Sequence, residues 1–299
     1  MRQARVIVVG AGPAGVAAAA QCLRLGIVPL IVDRTGAAGG LVENAYCVEN
    51  YPGIEKPLRG PELAERLRAH LARFGLAVER AEVTAIAREG DDYIVDGDPE
   101  TMRARAVILA SGTEPVRLGI SNERECEDSA VFYDVRSLLR RHPNPRSVVV
   151  VGGGEAACDY ALSLSASDAR VTMAVRSNRL KARGRLADAV RRSSAVRVLF
   201  ETVCESVGIS PTAVRLRGAA GDTEESETDA VLVAVGRRSA AAALLESMGA
   251  APPAAENGPL AGLFVAGDAR RGGLGQVGMA VGDGMRAAAA AVSFSEGGP

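Results

Sequence analysis

The sequence predicts an α/β fold built on two parallel sheets, because one local pattern occurs twice in its 299 residues. In each copy an apolar strand leads into a glycine-rich turn, an alanine-rich helix and a second apolar strand. The first copy spans Arg5–Asp33 and the second spans Arg146–Arg176. This order of elements is typical of Rossmann-like dinucleotide-binding units. The two copies end in different residues, which suggests that they bind different dinucleotides.

The first glycine-rich turn, GAGPAG, has G-x-G-x-x-G spacing and follows an apolar run of the kind found in strands buried on both faces. The first glycine allows a tight turn, the second lets the backbone approach a pyrophosphate, and the third lets the helix pack on the sheet. A carboxylate at the end of the second strand can accept both ribose hydroxyls but would repel a 2′-phosphate. The first copy therefore predicts FAD. Its predicted contacts are Gly10, Gly12, Pro13, Ala14, Gly15 and Asp33.

The second turn, GGGEAA, has alanine at the third glycine position, which the pattern permits. The arginine that ends this copy can bind a 2′-phosphate through a bidentate, charge-assisted contact. Further basic residues follow it closely in the sequence. The second copy therefore predicts NADPH, with a solvated basic turn as the alternative interpretation. Its predicted contacts are Gly152, Gly154, Glu155, Ala156, Arg176 and Lys181.

Composition excludes several functional classes. A net charge of −1 argues against a partner recognised by broad attraction to phosphates, such as a nucleic acid. The apolar start of the chain has glycines at turn spacing, so it predicts mature structure rather than a signal peptide. We expect neither a membrane span nor a metal site, and the five cysteines contain no C-x-x-C pair, which favours a reducing cytoplasm. The charged runs Thr223–Asp229 and Arg136–Arg141 predict solvated loops or helix faces.

Other elements follow from periodicity and turn residues. Pro61 can open a helix whose apolar face repeats at helical spacing and which ends at Gly75. Strands are predicted at Ala77–Ala85, Tyr93–Asp96, Ala106–Ala110, Val196–Phe200, Val203–Ile209, Ala213–Arg217, Val231–Val235 and Leu263–Ala266. An alanine-rich helix is predicted at Gln276–Val292.

Taken together, the motifs resemble the low-molecular-weight thioredoxin reductase family of two-domain flavoproteins. The motifs that carry the resemblance are GAGPAG at 10–15, GG at 39–40, VENYPG at 48–53, SGT at 111–113, GGGEAA at 152–157, AGD at 266–268 and QVGMAVGDG at 276–284. The resemblance implies two three-layer ββα domains. It implies a discontinuous FAD domain of residues 1–117 and 236–299, with an NADPH domain of residues 118–235 inserted between them.

The resemblance also implies roles for residues in these motifs. Asp268 would bind the flavin ribityl chain, and Gln276 and Val277, at a helix start, would face the flavin ring edge. Asn50 would lie near the isoalloxazine ring. Three further glycines belong to the implied FAD contacts, namely Gly40, Gly112 and Gly267. A homodimer in which one domain rotates against the other is also implied.

The chain departs from the family at the redox dithiol. Counting back from Phe132 and Tyr133 puts Glu125 and Asp128 at the two cysteine positions. A shift of one residue instead pairs Cys126 with Ser129, which still leaves one thiol. Thiol–disulfide exchange needs an attacking and a resolving sulfur, so we expect an acceptor that is not a disulfide.

Three residues are candidates for catalysis. Cys47 follows the Gly-Gly turn and could act as a nucleophile, with a small buried apolar residue as the alternative. Glu125 and Asp128 could exchange a substrate proton, with a charged surface loop as the alternative.

The main functional hypothesis is an NADPH-dependent FAD oxidoreductase that passes hydride to a small molecule or an electron-carrier protein. One alternative is a flavin-dependent oxidase or dehydrogenase of a small metabolite that uses oxygen. The other is a non-enzymatic flavin-binding redox sensor that acts through a partner protein.

Overall fold

The computed structural model describes residues 1–209, 212–249, 260–271 and 275–297. The chain divides into two compact units. The first unit comprises Met1–Glu43, Val48–Glu114 and Arg238–Pro299, and the second comprises Asn44–Cys47 and Pro115–Arg237. Within the described residues, no helix has the length and apolar character that crossing a membrane requires.

The strands, in chain order, are β1 (Arg2–Val9), β2 (Leu30–Asp33), β3 (Val78–Arg80), β4 (Glu82–Glu89), β5 (Asp92–Asp98), β6 (Thr101–Leu109), β7 (Thr113–Pro115), β8 (Val131–Phe132), β9 (Ser147–Val151), β10 (Arg170–Val175), β11 (Val196–Phe200), β12 (Val203–Val207), β13 (Ala213–Arg217), β14 (Thr223–Glu227), β15 (Ala230–Val233), β16 (Arg237–Ser239) and β17 (Leu263–Val265). The α-helices are α1 (Pro13–Arg24), α2 (Gly60–Arg73), α3 (Glu123–Cys126), α4 (Val135–Arg141), α5 (Glu155–Ser165), α6 (Gly184–Arg192), α7 (Ala241–Ser247), α8 (Asp268–Arg271) and α9 (Val277–Ser295). A 3₁₀ turn spans Gly40–Asn44.

The first unit is built on a sheet of strand order β3-β2-β1-β6-β5-β4, in which β17 also pairs with β6. Strands β3, β2, β1, β6 and β17 pair with one another in parallel, whereas β5 pairs antiparallel with both β6 and β4. Side chains of β1 alternate between two cores: Val6 and Val8 pack with α1 and α9, while Ile7 and Val9 pack on the opposite face. Burial on both faces explains why Val6–Val9 of β1 reads as an unbroken apolar run.

The second unit repeats this arrangement. Its parallel sheet has strand order β11-β10-β9-β15-β8, and Val148–Val151 of β9 alternate between two buried clusters. A separate antiparallel sheet, β12-β13-β14, packs Val207, Val214 and Leu216 against one of those clusters. Strands β7 and β16 form a two-stranded sheet. The predicted α/β class with two Rossmann-like sheets is confirmed.

One charged run differs from its prediction. Thr223–Glu227 is a strand, β14, and not a loop or a helix face. Its glutamates form ion pairs with arginines of nearby strands, at 2.9 Å for Arg197–Glu224 and 3.5 Å for Arg215–Glu225. An exposed edge strand needs no apolar face, and charged side chains protect it from pairing with another chain. The polar sequence of β14 therefore gave no signal that would predict a strand. The basic run Arg136–Arg141 lies in helix α4, in agreement with the prediction of a loop or a helix face.

Candidate functional site

The first glycine-rich turn joins β1 to α1, and its three glycines occupy positions with different steric surroundings. Gly10 has a φ of +100°, and an added Cβ would lie 2.3 Å from the Ala110 carbonyl oxygen. A Cβ on Gly15 would lie 1.8 Å from the Gly10 oxygen. Around Gly12, by contrast, no atom of a described residue other than its chain neighbours lies within 4 Å of an added Cβ. The first and third glycines are therefore required by packing, whereas the second faces open space at the start of a helix, where a phosphate binds well.

Asp33 ties the end of β2 to this turn. Its Oδ2 accepts the Ala11 N–H at 3.0 Å, and its Oδ1 accepts the Thr35 N–H at 2.8 Å and the Thr35 hydroxyl at 2.6 Å. A carboxylate offers about four acceptor positions, so this one retains capacity for a further donor such as a ribose hydroxyl. The contribution of Thr35, a local side-chain bond, was not predicted.

Two neighbouring segments complete the surroundings of the turn. The Gly39 N–H donates to the Ala11 oxygen at 2.9 Å, and a Cβ on Gly40 would lie 3.1 Å from the Gly12 Cα. Ser111 follows β6, and its Oγ is buried with no hydrogen-bond partner among the residues that the structure describes. A buried hydroxyl without a partner is costly, so Ser111 is suited to bind a polar ligand group. Sequence reasoning named Gly112 and missed Ser111.

The remaining predicted contacts of the first site come from distant parts of the chain. A Cβ on Gly267 would lie 2.8 Å from the Ala14 Cβ, so the loop before α8 packs directly on the first turn of α1. Gln276 is the N-cap of α9, and its Oε1 accepts a hydrogen bond from Asn50 Nδ2 at 2.5 Å. The fold thus brings together two residues 226 positions apart that were both predicted to lie near the flavin. The open turn, the Asp33 carboxylate and the Ser111 hydroxyl fit a dinucleotide.

The second glycine-rich turn joins β9 to α5 and repeats the same geometry. A Cβ on Gly152 would lie 2.3 Å from the Ala234 oxygen, and one on Gly153 would lie 2.6 Å from Val175 Cγ1. Apart from its chain neighbours, no described residue has an atom within 4 Å of a Cβ added to Gly154, and α5 begins at the next residue, Glu155. The second copy therefore also presents an open glycine at a helix start.

A basic segment lies beside this second turn. The Lys181 and Ala182 N–H groups donate to the Gly153 oxygen at 2.7 and 3.2 Å, which fixes the segment against the turn. Arg176 directly follows β10 and is exposed, as are Arg179, Lys181 and Arg183. None of these four cations forms an ion pair with a carboxylate in the described parts of the chain. Their charge is thus available to a phosphate group.

The segment expected to match the family dithiol contains one cysteine, Cys126, and its side chain is buried. Cys126 ends helix α3 and is fully buried, with its Sγ donating to the Val207 oxygen at 3.6 Å. Burial and the charge of Glu125 raise the pKa of this thiol. Glu125 and Asp128 are both exposed, and Asp128 has a φ of +59°. The two candidate carboxylates therefore face solvent, Glu125 from helix α3 and Asp128 from the turn that follows it.

A buried glutamate, which sequence reasoning missed, holds this segment in place. Glu123 accepts the N–H groups of Leu118 at 2.7 Å and Gly119 at 2.8 Å, and the Tyr133 hydroxyl donates to it as well. Burial raises the pKa of Glu123, but these hydrogen bonds and the charge of Arg117 outweigh burial and lower it. Arg117 also pairs with Glu127 at 2.8 Å. These interactions connect residues 117–119 with α3, with Glu127 and with Tyr133.

Comparison with known proteins identifies the family. The family model described as pyridine nucleotide-disulphide oxidoreductase matches residues 4–284. The chain belongs to this family. A thioredoxin reductase from Treponema pallidum (strain Nichols) is 32% identical to it, over 97% of this chain and 96% of that protein. Among solved structures, a Lactococcus lactis thioredoxin reductase in the FR conformation has a TM-score of 0.89 at 25% identity, covering 98% of this chain and 99% of that one. A thioredoxin reductase from T. acidophilum has a TM-score of 0.88 at 26% identity, covering 99% and 100%.

The family resemblance predicted from the motifs is confirmed, and the protein is a flavin oxidoreductase of the thioredoxin reductase type. Pyridine nucleotide-disulphide oxidoreductases of this type use FAD and NADPH, the two cofactors that the sequence predicted.

The cysteines of this family member divide by exposure, and none forms a disulfide. Cys22 and Cys158 are buried, and burial raises the pKa of their thiols to about 12 and about 11. Cys47 is exposed, so the alternative that it is a small buried apolar residue is wrong. Among the described residues, no group of three or more histidines, cysteines and acids could hold a metal ion.

Proposed function

We propose that this family member is an NADPH-dependent flavoenzyme that passes hydride from NADPH through bound FAD to an acceptor that is not a disulfide. In this proposal the first unit holds FAD through the turn at Gly12 and through Asp33, Ser111 and Asp268. The second unit holds NADPH through the turn at Gly154, with Arg176 and Lys181 binding its 2′-phosphate. Bound FAD supplies the redox chemistry, and the protein provides binding, orientation and charge.

The observation that carries the choice of acceptor is the state of Cys126. It is the one cysteine in the segment that resembles the family dithiol, and it is fully buried with a raised pKa. The thiolate is the nucleophile in thiol–disulfide exchange, and a second sulfur must resolve the mixed disulfide. A buried thiol whose neighbours at the motif positions are Glu125 and Asp128 meets neither requirement.

The acceptor in this proposal is a small molecule or an electron-carrier protein. Reduction of most organic acceptors requires a proton, and the exposed carboxylates of Glu125 and Asp128 are positioned by the Glu123 interactions to exchange one with solvent. We also propose that the protein is a cytoplasmic homodimer.

The proposal is tested by mixing the purified flavoprotein with NADPH or NADH without oxygen and recording the flavin absorption band. We expect rapid bleaching with NADPH and slower bleaching with NADH. Bleaching only by a metabolite would favour the oxidase or dehydrogenase alternative, and no bleaching with either would favour a sensor.

The acceptor is then tested with the reduced protein. We expect reoxidation by quinones, ferricyanide or a ferredoxin, and no turnover with a thioredoxin disulfide. The same assays on protein alkylated with iodoacetamide, and on a Cys47→Ser variant, provide the control. Disulfide turnover that disappears both on alkylation and in the Cys47→Ser variant would contradict the proposed acceptor and would assign thiol chemistry to Cys47.

A further inference from the structure

Asp283 of α9 has a carboxylate side chain that is almost completely buried, where a charge loses its contact with water. Its side chain is 2% exposed, and it lines a cavity of about 150 Å³ between β17 and α9. A buried carboxylate persists only where cations and hydrogen-bond donors compensate its loss of water. Arg286, one helical turn later, donates to Asp283 Oδ1 at 2.5 Å. Arg270 Nη1 approaches the same oxygen at 3.7 Å.

The two arginines differ in what they connect. Arg286 lies on the same helix as Asp283 and its side chain is 58% exposed, so this pair is local. Arg270 belongs to α8 and its side chain is only 19% exposed. The Arg270–Asp283 pair therefore fastens one helix to another. A helix of four residues such as α8 has no stability of its own and depends on such contacts.

Asp268, the residue proposed to bind the flavin ribityl chain, begins that same short helix. A Cβ on Gly275 would lie 2.9 Å from Asp268 Oδ2, so the carboxylate lies against the segment that leads into α9. On both sides the backbone packs on Ala14, because a Cβ on Gly267 would lie 2.8 Å from its Cβ and one on Gly284 would lie 2.1 Å from its oxygen. These glycines fix the distance of α8 and α9 from α1, whereas the charge pair fixes α8 relative to α9.

We propose that the Arg270–Asp283 pair is a positioning device for Asp268, and through it for FAD; this inference rests on the proposed assignment of FAD to the first unit. In this proposal the Asp283 carboxylate fixes the position of the Arg270 side chain by ion pairing. Because Arg270 and Asp268 lie on the same short helix, the pair also fixes the position of the Asp268 carboxylate relative to the ligand. Neither Asp283 nor Arg270 belongs to the predicted set of cofactor contacts. In metal sites, removal of a residue that orients a direct ligand commonly lowers metal affinity by about 10- to 100-fold. We expect removal of Arg270 to lower FAD affinity by a factor in the same range.

The test measures FAD binding to the apoprotein, by quenching of flavin fluorescence, and the visible circular dichroism of the bound flavin. We expect Arg270→Gln to raise the FAD dissociation constant at least tenfold and to alter the circular dichroism, and Arg270→Lys to restore most of both. Arg103→Gln is the matched control, because Arg103 is also a partly exposed arginine of the first unit that pairs with a carboxylate, Asp92 at 2.8 Å. It should leave both readouts unchanged.

A double-mutant cycle separates positioning from general loss of stability. If Arg270 acts through Asp268, then Arg270→Gln combined with Asp268→Asn should cost little more than Asp268→Asn alone. Additive losses, or wild-type affinity and circular dichroism in Arg270→Gln, would overturn the inference. A wild-type protein that binds no FAD would refute the proposed function itself. If the wild type binds FAD and Arg270→Gln has the same FAD affinity and circular dichroism, only the positioning role is refuted.

Discussion

Exposure and a raised thiol pKa, two properties that control cysteine reactivity, divide the cysteines of this protein. Cys47 is exposed, while burial raises the pKa of Cys22 and Cys158 far above neutrality. We therefore expect one fast-reacting thiol with a chromogenic disulfide reagent at pH 8, and slow reaction of the buried thiols until the protein unfolds. The Cys47→Ser variant should lose the fast phase. A fast phase that survives this substitution would show that another thiol is accessible.

Arg176 should decide the choice between the two nicotinamide coenzymes. A charge-assisted contact to a 2′-phosphate contributes about 1.5–3 kcal/mol, which is about 10- to 150-fold in affinity. We expect Arg176→Ala to raise the KM for NADPH by a factor in this range and to leave the KM for NADH nearly unchanged. Arg192→Ala, an exposed arginine at the end of α6, is the control. Equal effects on the two coenzymes would exclude a phosphate contact.

Glu123 should make stability depend on pH. Its pKa in the folded protein lies below the ordinary value for a glutamate carboxyl, so the carboxylate stabilises the fold at neutral pH, and the contribution is lost as the pH falls through the folded pKa. At pH 7 we expect Glu123→Gln to lower the free energy of unfolding by about 1.5–3 kcal/mol, the range for hydrogen bonds to a charged group.

The comparison that checks this prediction is denaturant unfolding of wild type and variant at several pH values. The difference between them should shrink as the solution is made acidic. Glu125→Gln, an exposed neighbour on the same short helix, should unfold like wild type at every pH. A difference between wild type and Glu123→Gln that stays constant with pH would mean that the variant acts through packing and not through charge.

At the scale of elements, two glycines of the first glycine-rich turn should respond differently to substitution by alanine. Gly12 has a φ of −69° and open space around an added Cβ, so Gly12→Ala should leave the stability of the apoprotein unchanged and weaken only FAD binding. Gly15→Ala should force the Gly10 carbonyl to move, at a cost of about 1–3 kcal/mol in unfolding free energy. Thermal unfolding of both apoproteins checks the pair. A destabilised Gly12→Ala apoprotein would show that this glycine has a packing role.

Elements with a strong one-dimensional signal were predictable from the sequence, and those that depend on distant contacts were not. Val6–Val9 and Val148–Val151 are apolar throughout because both of their faces are buried, so they read as strands. The exposed strand β14 has no such signal. The Ser111 hydroxyl and the Glu123–Tyr133 hydrogen bond depend on residues that meet only in the folded chain. The proposed domain boundaries and the roles of the site residues stay predictions.

At the scale of the whole molecule, each compact unit carries its own glycine-rich turn, so the two cofactor sites should be separable by mutation. Gly154 has a φ of −83° and open space around an added Cβ, so Gly154→Ala should keep its fold while it obstructs the coenzyme phosphates. The variant should bind FAD normally, and dithionite should reduce its flavin, but NADPH should not. Gly12→Ala should show the reverse behaviour: it should lose FAD and still bind NADPH, measured by calorimetry. Loss of FAD from Gly154→Ala would contradict the assignment of one cofactor to each unit.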